Sequence, residues 1–373
     1  MKVKKDKVVI DAKILMEFLD AVLKGVDGSK FVHFVVRSGK FSMISEGTSA
    51  RAILEVPVDY SGDTFYAGVD STKICSVGKR LYSGFVSLNF SQNHLELKLD
   101  NITAKFPVAS SKTTFSMPKL TTLEPKIGEW IVEGLVDAAV AIEDTTKTKN
   151  VSKFFGVLFD TDKEASRICK FSPTSIYVSK SAPIFAEPFR IVFPDLLARL
   201  AKKLNKSVKH VLISNNLSGF SLTYGTNVLC SMHQDTYPLD YLSTLGLSSG
   251  DKLLPGEGYR FVKDSLVNAV DLVSVSLGDS DFWTIFSIVG TDEDGCFVWD
   301  VFGKSFTNFE ISEKVVSSPG NGETVERFGI NKKVALKALS IFEKAVFLHD
   351  FKSMVAFSDD SGNKVLALTK AVV

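Results

Sequence analysis

No stretch of 18 consecutive apolar residues occurs in the chain, so a membrane-spanning helix is not expected. Cysteine is scarce: Cys75, Cys169, Cys230 and Cys296 stand far apart and form no CxxC pair. That argues against a zinc ribbon and a disulfide framework, and for reduced, buried thiols in a cytosolic protein. His33, His94, His210, His233 and His349 are scattered, none at metal-ligand spacing. No Ser-His-Asp order and no carboxylate pair stands out. Net charge is also nearly absent, with 44 basic side chains against 43 acidic ones. The first residues, MKVKKDKVVIDAK, carry charge but no apolar core, so a secretory signal is not expected.

Two fragments imitate known motifs and fail on inspection. The GKS at 303–305 has Val298 where a phosphate-binding loop needs its first glycine. The DTDKE at 160–164 is followed by Ala165 where a calcium loop needs glycine, and by Phe171 where it needs its last glutamate. It reads as a hairpin tip, as does TDEDG at 291–295. Neither a bound cofactor nor a metal is expected, and the chain is read as a non-enzyme.

What is present is a soluble composition, 45% apolar and 23% charged, with 29 phenylalanines for a large core. At 373 residues the chain is too long for one ordinary core. Self-similarity organises it. Six times an amphipathic segment leads into a strand, a short polar turn and a second strand, with helices starting near residues 11, 71, 134, 194, 263 and 331. The step is about 60 to 70 residues, the sign of a repeated supersecondary unit. Units of that size are too small to stand alone, so they pair. The stretches 116–130 and 245–258, with Pro, Gly and Ser and no periodicity, read as linkers. The expected domains are 1–122, 123–253 and 254–373.

The helices are unevenly charged. In FPDLLARLAKKLNK (193–206), Leu197, Leu200 and Leu204 form one apolar stripe. Arg199, Lys203 and Lys206 fall together on the other side, with Lys202 at the margin. Lys333, Lys337 and Lys344 share a face of the last helix, Lys73 and Arg80 one of the second, and Lys13 and Lys24 one of the first. The third and fifth helices carry Asp137, Glu143 and Asp144, then Asp264 and Asp271, although Lys147, Lys149 and Lys153 follow the third. Lysines recurring at equivalent repeat positions suit contact with phosphates without base reading. The alternative is a set of solvated faces on a repeat-built, β-rich interaction scaffold with no DNA role.

The repeat, with VLISNNLSGFSLTYGTNVLCSMHQDTYPLDYLSTL (211–245), FFGVLFDTDKEASRICKFSPTSIYVS (154–179) and NITAKFPVAS (101–110), resembles the bacterial DNA polymerase sliding clamp, the polymerase III beta subunit family. The resemblance covers the whole chain and rests on the repeat more than on identical residues. It implies an α+β clamp fold of three domains, each of two helix-plus-strand repeats, assembled into a ring with helices inside and sheets outside. It implies a processivity factor of the bacterial or phage-infected cytoplasm. That factor encircles double-stranded DNA and tethers the replicative polymerase, with a clamp loader and other clamp-binding proteins as further partners.

Carried onto this chain, the resemblance makes Lys24, Lys73, Arg80, Lys149, Lys153, Arg199, Lys202, Lys203, Lys206, Lys333, Lys337 and Lys344 the DNA-facing set. It places a partner-peptide pocket at Phe155, Ser172, Pro173, Thr174, Ile176, Tyr237, Pro238, Val372 and Val373. A head-to-tail homodimer contact would use Phe106 and Val108 against Val275 and Leu277. The chain departs from the family in three places. SPTSI replaces a Gly-His-Arg-Leu-like loop, the end reads LALTKAVV rather than a Met-Pro-rich tail, and the overall charge is not acidic. These departures point to a divergent, phage- or plasmid-encoded member with altered peptide selectivity.

Overall fold

The computed structural model describes residues 7–25, 30–46, 51–60, 64–81, 83–109, 120–142, 156–172, 174–185, 188–193, 210–214, 219–224, 226–231, 258–276, 283–304, 310–318, 327–350 and 354–372. In chain order the first elements are β1 (Lys7–Asp11), α1 (Ala12–Gly25), β2 (Phe31–Arg37), β3 (Lys40–Glu46), β4 (Arg51–Pro57), β5 (Phe65–Asp70) and α2 (Ser71–Gly78). Then follow β6 (Phe85–Phe90), β7 (His94–Leu99), β8 (Ile102–Pro107), β9 (Leu120–Thr122) and α3 (Pro125–Ala141). The middle strands are β10 (Val157–Thr161), β11 (Ser166–Ser172), β12 (Ser175–Ser181), β13 (Phe189–Phe193), β14 (His210–Ser214), β15 (Gly219–Tyr224) and β16 (Thr226–Ser231). Next come β17 (Tyr259–Val262), α4 (Lys263–Ser276), β18 (Trp283–Thr291), β19 (Phe297–Lys304), β20 (Glu310–Ser317), β21 (Phe328–Asn331) and α5 (Lys332–Leu339). The chain closes with β22 (Ala345–Asp350), β23 (Met354–Ser358), β24 (Lys364–Thr369) and β25 (Ala371–Val372).

The chain divides into two compact units, one of residues 1–133 and 191–235, the other of 134–190 and 236–373. In the first, a four-stranded sheet runs β1-β6-β7-β8 and an eight-stranded sheet runs β5-β2-β3-β4-β16-β15-β14-β9. The β2–β3 turn places Ser38 and Gly39 at φ 47° and 74°, which suits a two-residue hairpin. Phe34 stacks on Phe41 with centroids 6.0 Å apart, and Phe41 meets Phe90 edge-on. Helices α1 and α2 pack together, and a Cβ on Gly78 would lie 2.6 Å from Leu19 Cδ1, so the glycine sets their close approach.

In the second unit the sheet order is β10-β11-β12-β24-β23-β22-β17-β20-β19-β18-β21-β25. Trp299 is fully buried, donates its indole N–H to Ser317 Oγ at 2.9 Å, and meets Tyr259 and Phe261 edge-on. Helix α4 packs against α5, β19 and β20.

Both expected domain boundaries, near 122 and 253, are spanned by hydrogen-bonded sheet. Residues from either side pair as β4 with β16 and as β12 with β24. The stretch expected as a linker, 116–130, instead contributes β9, which pairs with β14, and the first turns of α3. Its Pro125 is the first helical residue, where a missing N–H costs nothing. From there Ile131, Leu135 and Ala138 lie buried along one stripe, so the third helix begins nine residues before Gly134. The fourth helix expected at 193–206 lies outside the described residues apart from Phe193. No described helix is long and apolar enough to cross a membrane.

Candidate functional site

Helix α2 shows most directly how sequence builds a basic surface. The Asp70 carboxylate caps it, accepting from the Lys73 backbone N–H at 3.0 Å. Ser71, Ile74, Cys75 and Gly78 form the buried stripe, and the Cys75 thiol points to the Leu19 carbonyl at 3.6 Å. With that face fixed, Thr72, Lys73 and Ser76 turn outward, and Lys79 and Arg80 follow in the exposed turn. Ser76 Oγ donates to the Lys73 carbonyl at 2.7 Å, so the exposed hydroxyl is spent on its own helix. The helix itself contains no acid.

Helix α5 repeats the plan in part. Ala335, Ala338 and Leu339 are buried, Lys337 is half-buried, and Lys344 is exposed beside Glu343. The Lys333 side chain lies outside the described residues, as does that of Lys24 in α1, where Lys13 is exposed. Lys149, Lys153, Arg199, Lys202, Lys203 and Lys206 also lie outside them. Asp137, one of the acids counted on the third helix, is buried and ion-paired. Helix α4 does present acids: Asp264, Ser265, Asn268, Asp271 and Leu272 share its exposed face.

Two strand edges lie near the residues expected at a chain-to-chain contact. Strand β8 is one of the two outer strands of the four-stranded sheet, and it turns Thr103, Lys105 and Pro107 to solvent. Phe106, expected at a dimer contact, points the other way: it is 4% exposed, opposite Leu95 in its own core. Strand alternation puts it there, because Lys105 and Pro107 occupy the outer positions. Val108 is half-buried. On the outer face Glu96 takes Lys98 at 2.7 Å and Lys105 at 3.5 Å, and the hydrogen bond from Lys98 is the main cause holding its carboxyl below the usual range.

In the second unit β20 pairs with β19 along its length but meets β17 only at Ser317 opposite Phe261. The other edge of Ile311–Val316 therefore has no strand partner among the described residues. Beside it, α4 presents Leu272, which is 41% exposed. The Val275 side chain and Leu277 lie outside the described residues. Leu272 went unremarked in the sequence, where it reads as one more apolar helix position; its exposure depends on which face β20 covers.

Of the expected peptide pocket, Ser172, Thr174 and Ile176 come together at the β11–β12 hairpin. Ser172 Oγ bridges to Ser175 Oγ at 2.6 Å and accepts from the Thr174 N–H at 3.2 Å. The Thr174 carbonyl accepts from the Thr369 N–H at 2.8 Å, so the tip sits against the end of β24. Ile176 is 7% exposed, flanked by Phe171 and Ala367. Ala371 and Val372 form β25, paired to Gly329 and Phe328, so this stretch of backbone also closes the edge of β21. Phe155, Pro173, Tyr237, Pro238 and Val373 lie outside the described residues.

Three histidines and two acidic turns hold local structure together. His94 bonds Ser91, His349 bonds Ser358, and His33 Nδ1 meets the Tyr66 hydroxyl. At the hairpin tips Asp162 Oδ1 accepts from the Glu164 and Ala165 N–H groups, and Asp292 Oδ1 from those of Asp294 and Cys296. Arg167, donating to Asp162 Oδ2 at 2.6 Å, helps hold that carboxyl below its usual range against the opposing effect of burial. Among the described residues no cluster of His, Cys, Asp and Glu is arranged to hold a metal.

No protein-family model matches the sequence, and no curated protein does. Solved structures do match. The DNA polymerase III subunit beta from Pseudomonas aeruginosa is 14% identical with a TM-score of 0.68, covering 98% of this chain and 99% of that one. The DNA polymerase sliding clamp from Bacillus subtilis is 13% identical with a TM-score of 0.70, over 98% and 99%. The Helicobacter pylori beta clamp bound to a DNA ligase peptide is 13% identical with a TM-score of 0.68, over 98% and 100%. The chain therefore has the sliding-clamp fold along essentially its whole length.

Proposed function

We propose that the protein is a DNA sliding clamp, a non-catalytic processivity factor that encircles duplex DNA and tethers a replicative polymerase. The observation that carries this reading is the match to clamps over 98% of the chain, end to end rather than through one repeat. The α2 region adds to it: Lys73 is exposed on the helix and Lys79 and Arg80 in the turn after it, and they suit sequence-blind phosphate contact. The domains are 1–122, 123–253 and 254–373, and two chains close head to tail into a ring. The contact joins the β8 edge of one chain to the β20 edge of the other. On the β20 side, α4 supplies the exposed Leu272 as the apolar anchor of that contact.

A clamp loader that opens the ring, the polymerase and other motif-bearing proteins are its partners, in the bacterial or phage-infected cytoplasm. The peptide bound to the Helicobacter pylori clamp supports a linear-peptide partner, taken up at the hairpin wall of Ser172, Thr174 and Ile176. Light scattering tests the assembly: twice the chain mass supports the ring, and a stable monomer at micromolar concentration favours the scaffold without a DNA role.

A further inference from the structure

The described residues hold a buried charge pair that neither strand pairing nor the basic helix faces require. Asp137 Oδ2 on α3 lies 2.6 Å from Lys364 Nζ on β24, with the two side chains only 12% and 13% exposed. The Tyr177 hydroxyl on β12 donates to the same Oδ2 at 3.5 Å. Lys364 Nζ also donates at 3.5 Å to the carbonyl of Ile341, in the turn after α5. One ammonium group thus links α3, the end of α5 and the sheet. The α3 backbone also comes close to the sheet here, since a Cβ on Gly134 would lie 2.7 Å from Ile168 Cδ1. Along β12, Tyr177 faces Asp137 while Ile176 lies on the opposite face between Phe171 and Ala367.

We propose that Lys364 is a positioning residue that pins α3 and the turn after α5 to β12 and β24. The helix layer and the strands bearing the hairpin wall then move as one body. A buried pair is a poor source of stability compared with apolar side chains of similar volume, and in some proteins it is kept because it specifies one geometry. The consequence for function rests on the clamp reading: the helices facing DNA and the wall facing the partner peptide are mechanically joined through this one side chain.

The test uses the full chain with Lys364→Met, with Asp137→Leu/Lys364→Met, which removes the stranded charge, and with Lys364→Arg, which keeps a donor. Amide hydrogen exchange is read segment by segment. In the double variant, β12 and β24 are expected to exchange at least tenfold faster than in wild type while Trp283–Lys304 is unchanged, even where the melting temperature recovers. Lys364→Arg should return β12 and β24 to within about threefold of wild type. Wild-type exchange in the double variant, or acceleration spread evenly over the unit, overturns the proposal. Dwell time on nicked circular DNA, read in parallel, should fall at least fivefold in the double variant. An unchanged dwell time with raised exchange overturns the mechanical joining. Failure of the wild type to be retained at all overturns the clamp reading, and exchange still decides the pin.

Discussion

Gly258 lies directly against His349: a Cβ on the glycine would sit 2.8 Å from Nε2 and 2.6 Å from the Leu348 carbonyl oxygen. The carbonyl belongs to a strand hydrogen-bonded to β17, so it cannot yield without shifting the pairing of Tyr259 with Leu348. Gly258→Ala should therefore destabilise the protein by about 1–3 kcal/mol, the cost of overpacking. Chemical denaturation is the check.

The same burial sets a pH dependence. His349 has its pKa pushed down to about 4 by desolvation. His33 is also lowered, mainly by burial and partly offset by Glu46. Above pH 6.5 both rings are neutral in the folded and unfolded chain, and stability is at its full value. As pH falls from 6.5 towards 4 the unfolded chain binds protons that the folded one resists, so stability declines, and below about 4 the loss from His349 is complete. For His349 the loss is at most about 3 kcal/mol. His349→Gln should flatten the decline between pH 6.5 and 4 in denaturation midpoints.

On α2, Lys73, Lys79 and Arg80 are exposed, so replacing them by alanine should leave the melting temperature nearly unchanged. Each released phosphate contact should lower the salt slope of DNA binding by about 0.9, alike on every duplex sequence. Fluorescence titration across a salt series measures it; unaltered slopes in the triple variant would remove this face from the DNA.

At the proposed chain-to-chain contact, Phe106→Asp and Leu272→Asp should differ. Phe106 is core, and its loss should cost about 3–5 kcal/mol and unfold the sheet at β7 and β8. Leu272 is exposed, so Leu272→Asp should leave a folded chain of half the assembled mass. Circular dichroism with light scattering separates the two.

Most of the helix-plus-strand units and the hairpin tips were legible because period and turn chemistry are local, while the fourth expected helix lies outside the described residues. The α2 face was legible for the same reason. The start of α3 was not: Pro125 and Gly128 look like linker residues until Ile131, Leu135 and Ala138 find a core. Neither the inward turn of Phe106 nor the burial of Asp137 against Lys364 is written locally. Both depend on strand register and on pairing between residues far apart in the chain. In β24 four successive residues, Val365 to Leu368, are buried, because both faces of that strand are covered.

Topological linkage is the central claim, and retention on circular against linearised duplex tests it most directly. The protein is loaded onto nicked circular DNA with its loader, passed over a sizing column in high salt, and compared before and after the circle is cut once. The account predicts that the protein stays with the circle and is lost when the ends are freed. Equal retention on both forms, or on neither, would contradict it.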